Sequence, residues 1–442
     1  MLLEFTVVNF KSFREKQVFS MLPSSKLRTR LISPLQASRY AKMQALPTSV
    51  IYGPNNAGKS NLVKAFKALQ NLVRNSGNFN SDRLLDENNF FDLDIQTQNQ
   101  ATSFEIDFIA PNNKRYVYNL LFTKTHVLTE ELFVYNISET GITTLNTLYK
   151  RNKQDIKFTA LKGVRENISF NKNQLFLSRG DIEGNEMLKE VYSFFSSQLK
   201  IFLYSEDQYL NVLEHLYPTL IDKHGQKIID LIDVILQETD TGILGIEGRL
   251  PDTDSVHFSQ NIPVETRKKI LARLPSSIST RHKLFDGEEE VGYIPLPLIL
   301  QSTGTRKILG LVPIIILALD KGSVLIIDEM TTSLHTEMVS WLIDLFNQPE
   351  TNPNKAQLIF TTHDISLLDR QLYDRDQIHI VEKNKYGASE SYSFADITGL
   401  RPNSQLSDYY ETGRLGGVPH IVKPYLTYVI SQYLNHVETE VQ

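Results

Sequence analysis

Apolar and polar residues alternate along Leu2–Phe10 and again along Lys16–Met21, the period-2 pattern of strands with one buried face. The same alternation runs through Phe104, Ile106 and Phe108, turns at Pro111-Asn112-Asn113 and returns through Tyr116, Tyr118 and Leu120. Leu128, Leu132–Tyr135 and Thr143–Tyr149 extend it into a predicted antiparallel meander. Three runs differ: Ser49–Tyr52, Val324–Ile327 and Gln357–Phe360 are short and almost unbroken in apolar character, as expected of parallel strands covered on both faces. Helical spacing appears in Leu62, Val63, Phe66, Leu69 and Val73, and in Leu188, Val191, Phe194 and Phe195. It continues in Leu210, Leu213 and Leu216, then in Ile228, Ile229, Leu231, Ile232 and Ile235. Ile308–Leu319 predicts a buried helix despite Gly310 and Pro313, Ile378–Phe394 a hairpin, and Ile421–His436 a final apolar helix. Arg74–Arg83 is polar and reads as a loop.

These elements predict an α/β protein with an antiparallel β-subdomain and a helical insertion. Residues 1–180 form a first lobe with the meander, 181–245 a compact helical bundle, and 246–442 a second lobe. Residues 250–264, with Pro251, Asp252, Asp254 and Pro263, read as an exposed linker. No sustained heptads and no internal repeats are present.

The chemistry concentrates at three strand ends. Ser49–Tyr52 runs into Gly53-Pro54-Asn55-Asn56-Ala57-Gly58-Lys59-Ser60, followed by Asn61, a complete phosphate loop between strand and helix. Gly53 and Gly58 let the backbone turn so that its N–H groups face phosphate oxygens, and the helix N-terminus adds a positive dipole end. Lys59 would reach the β- and γ-phosphates, and Ser60 would ligate Mg²⁺. Val324–Ile327 ends in Asp328-Glu329, a Walker B pair in which Asp328 would hold Mg²⁺ and Glu329 would polarise an attacking water. Gln357–Phe360 ends in Thr361-Thr362-His363-Asp364, which puts His363 in the ligand crevice of a parallel sheet, where it can sense a γ-phosphate.

Ser302-Thr303-Gly304-Thr305 precedes the Ile308–Leu319 helix, just upstream of Asp328. It resembles the signature motif of ABC-type ATPases, which in that family binds the γ-phosphate of the ATP held by the opposite subunit. The resemblance assigns that trans role to Ser302, Gly304 and Thr305, and implies a homodimer or higher oligomer assembled by ATP. Ser333-Leu334-His335 falls where the family has its D-loop.

Asn9-Phe10-Lys11-Ser12-Phe13 resembles the opening turn of SMC, RecF and OLD heads. Together with Asn55-Asn56-Ala57 and Ser333-Leu334-His335, it narrows the likeness to the stand-alone SMC/RecF/OLD-like ATPases of bacterial anti-phage defence, the group of the PARIS, RloA and Septu ATPases. Tyr409–Pro419 resembles that group's C-terminal Y-x-x-G-R-x-G-x-x-P stretch. The chain departs from the pattern at Gln301, where an acid is common, and at Thr331-Thr332, where a second acidic position often lies. The stretch after His363 is expected to be too short for the Toprim nuclease domain of OLD proteins. The resemblance implies an ABC/SMC-like P-loop NTPase head that hydrolyses ATP, with Mg²⁺, and controls a separate effector protein, a nuclease being one candidate.

Composition bounds these readings. The chain has 442 residues, a net charge of −5 and no cysteine, with a pI near 6.1. That balance does not indicate nucleic-acid binding, though it leaves it open. The basic runs Lys150-Arg151-Asn152-Lys153 and Arg267-Lys268-Lys269 are expected as solvated faces. Zero cysteine and no visible signal peptide fit a cytoplasmic protein, and no apolar run is long enough to span a membrane. Two other functions share the motifs. A RecF-like DNA-repair ATPase would use the same head. An ABC-transporter ATPase would need a shorter path than the one from Lys59 to Ser302. The Q-loop stays unassigned among Gln96, Gln98 and Gln100.

Overall fold

The computed structural model describes residues 1–24, 35–36, 44–137, 143–161, 170–179, 184–203, 213–215, 217, 223–239, 242–249, 277–370, 372–397, 406–412 and 425–432. The expected 250–264 linker, the Arg267-Lys268-Lys269 run, Leu210, Leu216 and 413–419 of the C-terminal glycine-rich stretch lie outside these residues.

A six-stranded sheet carries the site. Its order is Leu199–Phe202, Val324–Ile327, Gln357–Thr361, Thr48–Tyr52, Ile378–Lys383 and Ser389–Ser393. The first five strands are parallel and the last returns as a hairpin. Strand periodicity sends alternate residues to opposite faces. Ile51, Val324, Ile326, Ile359 and Val381 enter one core, beside the helix Lys59–Asn75. Val50, Tyr52, Leu325, Ile327, Leu358, Phe360, Ile378 and Ile380 enter the other, beside the helices Thr303–Lys321 and Thr336–Asn347. Burial on both faces is why these strands read as continuous apolar runs.

The meander is a seven-stranded antiparallel sheet, ordered Asp155–Phe158, Thr143–Asn152, Val127–Ile137, Arg115–Phe122, Thr102–Ile109, Leu2–Val8 and Gln17–Ser20. Its inner face packs on the Lys59–Asn75 helix, where the Phe5 and Phe66 rings stack 3.9 Å apart. Arg151 is not on a solvated face. It is buried and pairs at 3.1 Å with buried Glu130. Glu130 also accepts from Tyr118, Tyr149 and the backbone of Phe176 and Leu177, so the buried carboxylate is satisfied on both oxygens.

Two features modify the expected layout. The segment expected as a helical bundle has the helices Glu186–Ser193 and Lys223–Glu238, but between them Leu199–Phe202 forms the edge strand beside Val324–Ile327. A further antiparallel sheet of Ile243–Arg249, Ser277–Asp286 and Glu289–Pro297 leads into Ser302. Among the described residues, no helix is long and apolar enough to cross a membrane.

Candidate functional site

The sheet order builds the site. Gln357–Thr361 lies between the strands that end at Gly53 and at Asp328, so its own end delivers His363 between them. The phosphate loop needs its glycines. Gly53 and Gly58 have φ of +151° and +121°, and a Cβ would overlap Val381 O at the first and Ser389 Oγ at the second. Ser389 Oγ also donates to Ala57 O, and Asn61 Nδ2 donates to Ser12 Oγ at 2.9 Å. The hairpin Ile378–Ser393 and the Asn9–Phe13 turn therefore brace the loop from two sides. Asn55 and Asn56 are exposed at its tip, while Ala57 is buried.

Lys59 is buried, and its Nζ donates to Gly53 O at 2.8 Å and Pro54 O at 3.3 Å. His363 Nε2 lies 3.0 Å from that ammonium and 3.1 Å from Glu329 Oε1. Burial lowers the Lys59 pKa to about 8, against the opposing pull of Glu329 and Asp328. Burial alone would raise the Glu329 carboxyl. The His363 hydrogen bond and charge, with Lys59 and Thr332, outweigh it and hold Glu329 below the usual range, ionised at neutral pH. Ser60 Oγ donates to Asp328 Oδ1 at 3.1 Å, and Thr361 Oγ1 donates to the same oxygen at 2.7 Å. A hydroxyl and a carboxylate meeting beside the phosphate loop are the hard oxygen donors that suit Mg²⁺.

Ser302 caps the helix Thr303–Lys321: its Oγ accepts from Thr305 N at 3.1 Å and lies 2.9 Å from Thr305 Oγ1. Ser302 is exposed and makes no hydrogen bond to the Lys59 cluster among the described residues. Gly304 reaches the turn after Walker B, where a Cβ would stand 2.6 Å from Ser333 O. His335 caps the next helix, its Nδ1 accepting from Glu337 N at 3.2 Å.

The motifs do not disclose three further parts. Thr361 holds both Asp328 and the backbone N–H of Glu329, the latter at 2.7 Å. Lys307 is buried, and its Nζ donates to Glu329 O and Thr332 O; burial lowers its pKa to about 8, Glu329 opposing. A cavity of about 450 Å³ adjoins the helix start, lined by Lys11, Ser12, Asn61, Asn88, Lys124 and Lys383 among others. A basic pair, Arg306-Lys307, at the head of an apolar helix is the signal that could have found Lys307. The cavity joins segments far apart in sequence and leaves no local signal.

Fold and site together define a P-loop NTPase with an ABC/SMC-like head: a parallel sheet bearing the phosphate loop and the Asp328-Glu329 strand end, the strand that leads to His363 between them, and an antiparallel subdomain. The chain belongs to the AAA_21 family, described as "AAA domain, putative AbiEii toxin, Type IV TA system", whose model matches residues 49–183 and 219–369. Among solved structures, it is similar to the SMC head domain from Thermotoga maritima at 15% identity, covering 89% of this chain and 98% of that one, with a TM-score of 0.40. An SMC head bound to the C-terminal winged-helix domain of ScpA matches at 13% identity, covering 89% and 97%, with a TM-score of 0.45. The recombination mediator RecF-ATP matches at 13% identity, covering 88% and 97%, with a TM-score of 0.34. No match was found among curated proteins.

Proposed function

We propose that this protein is an ATP-hydrolysing switch of the ABC type that dimerises on ATP and controls a separate effector in bacterial anti-phage defence. The observation that carries the reading is the convergence of Lys59, His363 and Glu329, with Ser60 and Asp328 paired beside them. Two heads would trap two ATPs, each between one phosphate loop and the Ser302, Gly304 and Thr305 of the other subunit. Ser60 and Asp328 would hold Mg²⁺, which neutralises phosphate charge when bound. Glu329, held ionised, accepts a proton from water as its oxygen attacks the γ-phosphorus. The bond to the β–γ bridging oxygen breaks, giving ADP and phosphate. His363 contacts the γ-phosphate and registers its loss. The loss of that contact reopens the dimer, which is the switching event.

The output of the switch would lie in a separate partner protein, a nuclease being one candidate. The toxin–antitoxin wording of the family description is in keeping with a conflict role. The test is Glu329→Gln, measured for ATP binding, turnover and particle size by light scattering. Binding should persist, turnover should fall on the order of 10²–10⁴-fold, and a larger ATP-dependent species should accumulate. Wild-type turnover by this variant removes Glu329 as the base. Turnover that requires DNA, with salt-dependent binding, would favour the RecF-like role instead.

A further inference from the structure

Lys307 lies in the first turns of the helix that Ser302 caps. It is 3% exposed, and its ammonium donates to the carbonyls of Glu329 at 2.7 Å and Thr332 at 2.9 Å. Those carbonyls bracket the turn by which the chain leaves the Walker B strand. The turn has an unusual backbone: Glu329 has φ +53° and Ser333 φ +62°, left-handed values at residues that carry a Cβ. Such a turn holds its shape only when its surroundings fix it. The end of the Gln357–Thr361 strand fixes one side, Thr361 accepting from Glu329 N at 2.7 Å and from Met330 N at 3.1 Å, and one helix face fixes the other. Gly304 touches Ser333 O through bare backbone, and Lys307, three residues on and therefore on the same face, takes the two carbonyls.

We propose that Lys307 is a positioning residue that locks the Glu329–Ser333 turn to the signature helix, so that a phosphate gripped at Ser302–Thr305 sets the Glu329 carboxylate of the same subunit. The proposal rests on the function proposed above. In the trans arrangement the gripped phosphate belongs to the partner's ATP, whereas Glu329 serves its own. Lys307 is therefore the link by which filling one composite site prepares the other. A neutral donor could satisfy the same carbonyls with less desolvation, so a buried cation at this point is a tie of unusual strength.

The experiment uses the full chain as Lys307→Met, Lys307→Arg and Glu329→Gln, read for ATP affinity, thermal midpoint, kcat, KM and Hill coefficient. Wild-type turnover should rise sigmoidally with ATP. Lys307→Met should bind ATP as wild type does, with an unchanged KM, a kcat lower on the order of 10²-fold, and a Hill coefficient near one. Lys307→Arg keeps the cation and its donors but shifts them, and should recover part of the rate. If Lys307→Met does not fold, a reduced kcat at constant KM in Lys307→Arg carries the proposal, and an unchanged kcat overturns it. A wild-type rate in Lys307→Met overturns it, as does loss of ATP binding together with turnover in both Lys307 variants, which marks a purely structural tie. A wild-type Hill coefficient of one removes the coupling. If Glu329→Gln is inactive and Lys307→Met is unaffected, Lys307 alone is wrongly placed; if Glu329→Gln turns over normally, the general-base reading falls first.

Discussion

His363 Nε2 lies 3.1 Å from Glu329 Oε1 and 3.0 Å from the Lys59 ammonium. One ring nitrogen thus faces an acceptor and a donor and serves one of them at a time. Carrying a proton, it donates to Glu329; without one, it accepts from Lys59. A γ-phosphate entering between Lys59 and His363 would decide between these states. His363→Ala should therefore leave ATP affinity within a few-fold and lower single-turnover hydrolysis on the order of 10²-fold. Hydrolysis at the wild-type rate would remove His363 from the mechanism.

Lys59→Ala should abolish ATP binding, because the side chain is the buried cation at the centre of the phosphate loop. Each charge-assisted hydrogen bond lost costs about 1.5–3 kcal/mol, so affinity should fall at least tenfold. Calorimetry on folded protein measures it. An unchanged affinity would contradict the phosphate-loop assignment.

Ser302→Arg puts a bulky cation on an exposed helix cap that has no hydrogen bond to the Lys59 cluster of its own chain. The monomer should bind ATP nearly normally and fail to hydrolyse it. Mixed with Lys59→Ala protein, it should regain part of the activity, since a mixed dimer has one site with both defects and one with neither. A dimerisation assay run in parallel separates strict site coupling from failure to pair. Full activity of Ser302→Arg alone would return the protein to a generic P-loop ATPase.

His379 is buried against Phe19, with ring centroids 4.6 Å apart. Burial lowers its pKa from 6.5 to about 4, the Ser20 backbone and Asp396 opposing only in part. The unfolded chain then takes up the proton first, so stability is full above pH 6.5 and is lost as pH falls towards 4. Between about pH 7.5 and about pH 5 the wild type should lose about 2 kcal/mol more than His379→Phe, as read by urea unfolding. Parallel losses in the two proteins would show that another group dominates the acid limb.

The strand ends that carry the candidate site were legible because their signals are local: Gly53–Ser60, Asp328-Glu329 and His363 each close a short apolar run. The edge strand was not. Leu199-Lys200-Ile201-Phe202 follows the helix-spaced Phe194 and Phe195, carries a lysine, and becomes a strand through its pairing with Val324–Ile327. The hairpin Ser277–Pro297 escaped notice for another reason. Its second strand, Glu289–Pro297, is almost wholly exposed and holds Gly292, Pro295 and Pro297, so it shows neither alternation nor β-rich composition. Arg151 read as part of a surface run because its partner Glu130 lies on the neighbouring strand. The final helix is described over residues 425–432 only, where it is helical and exposed.

The strand Thr48–Tyr52 bears on how the protein comes into being. Both of its neighbours, Gln357–Thr361 and Ile378–Lys383, are made late in synthesis. At about 5–20 residues per second, the ribosome leaves this apolar strand unpartnered for roughly fifteen seconds to a minute. Among the described residues of 1–180 no strand pairs with it, so the antiparallel sheet can condense early while the nucleotide pocket cannot. Nascent chains stalled before Gln357 should fail to retain ATP. Any holdase that guards this protein would then be needed most during that interval, when the phosphate loop exists in sequence but has no sheet to stand on.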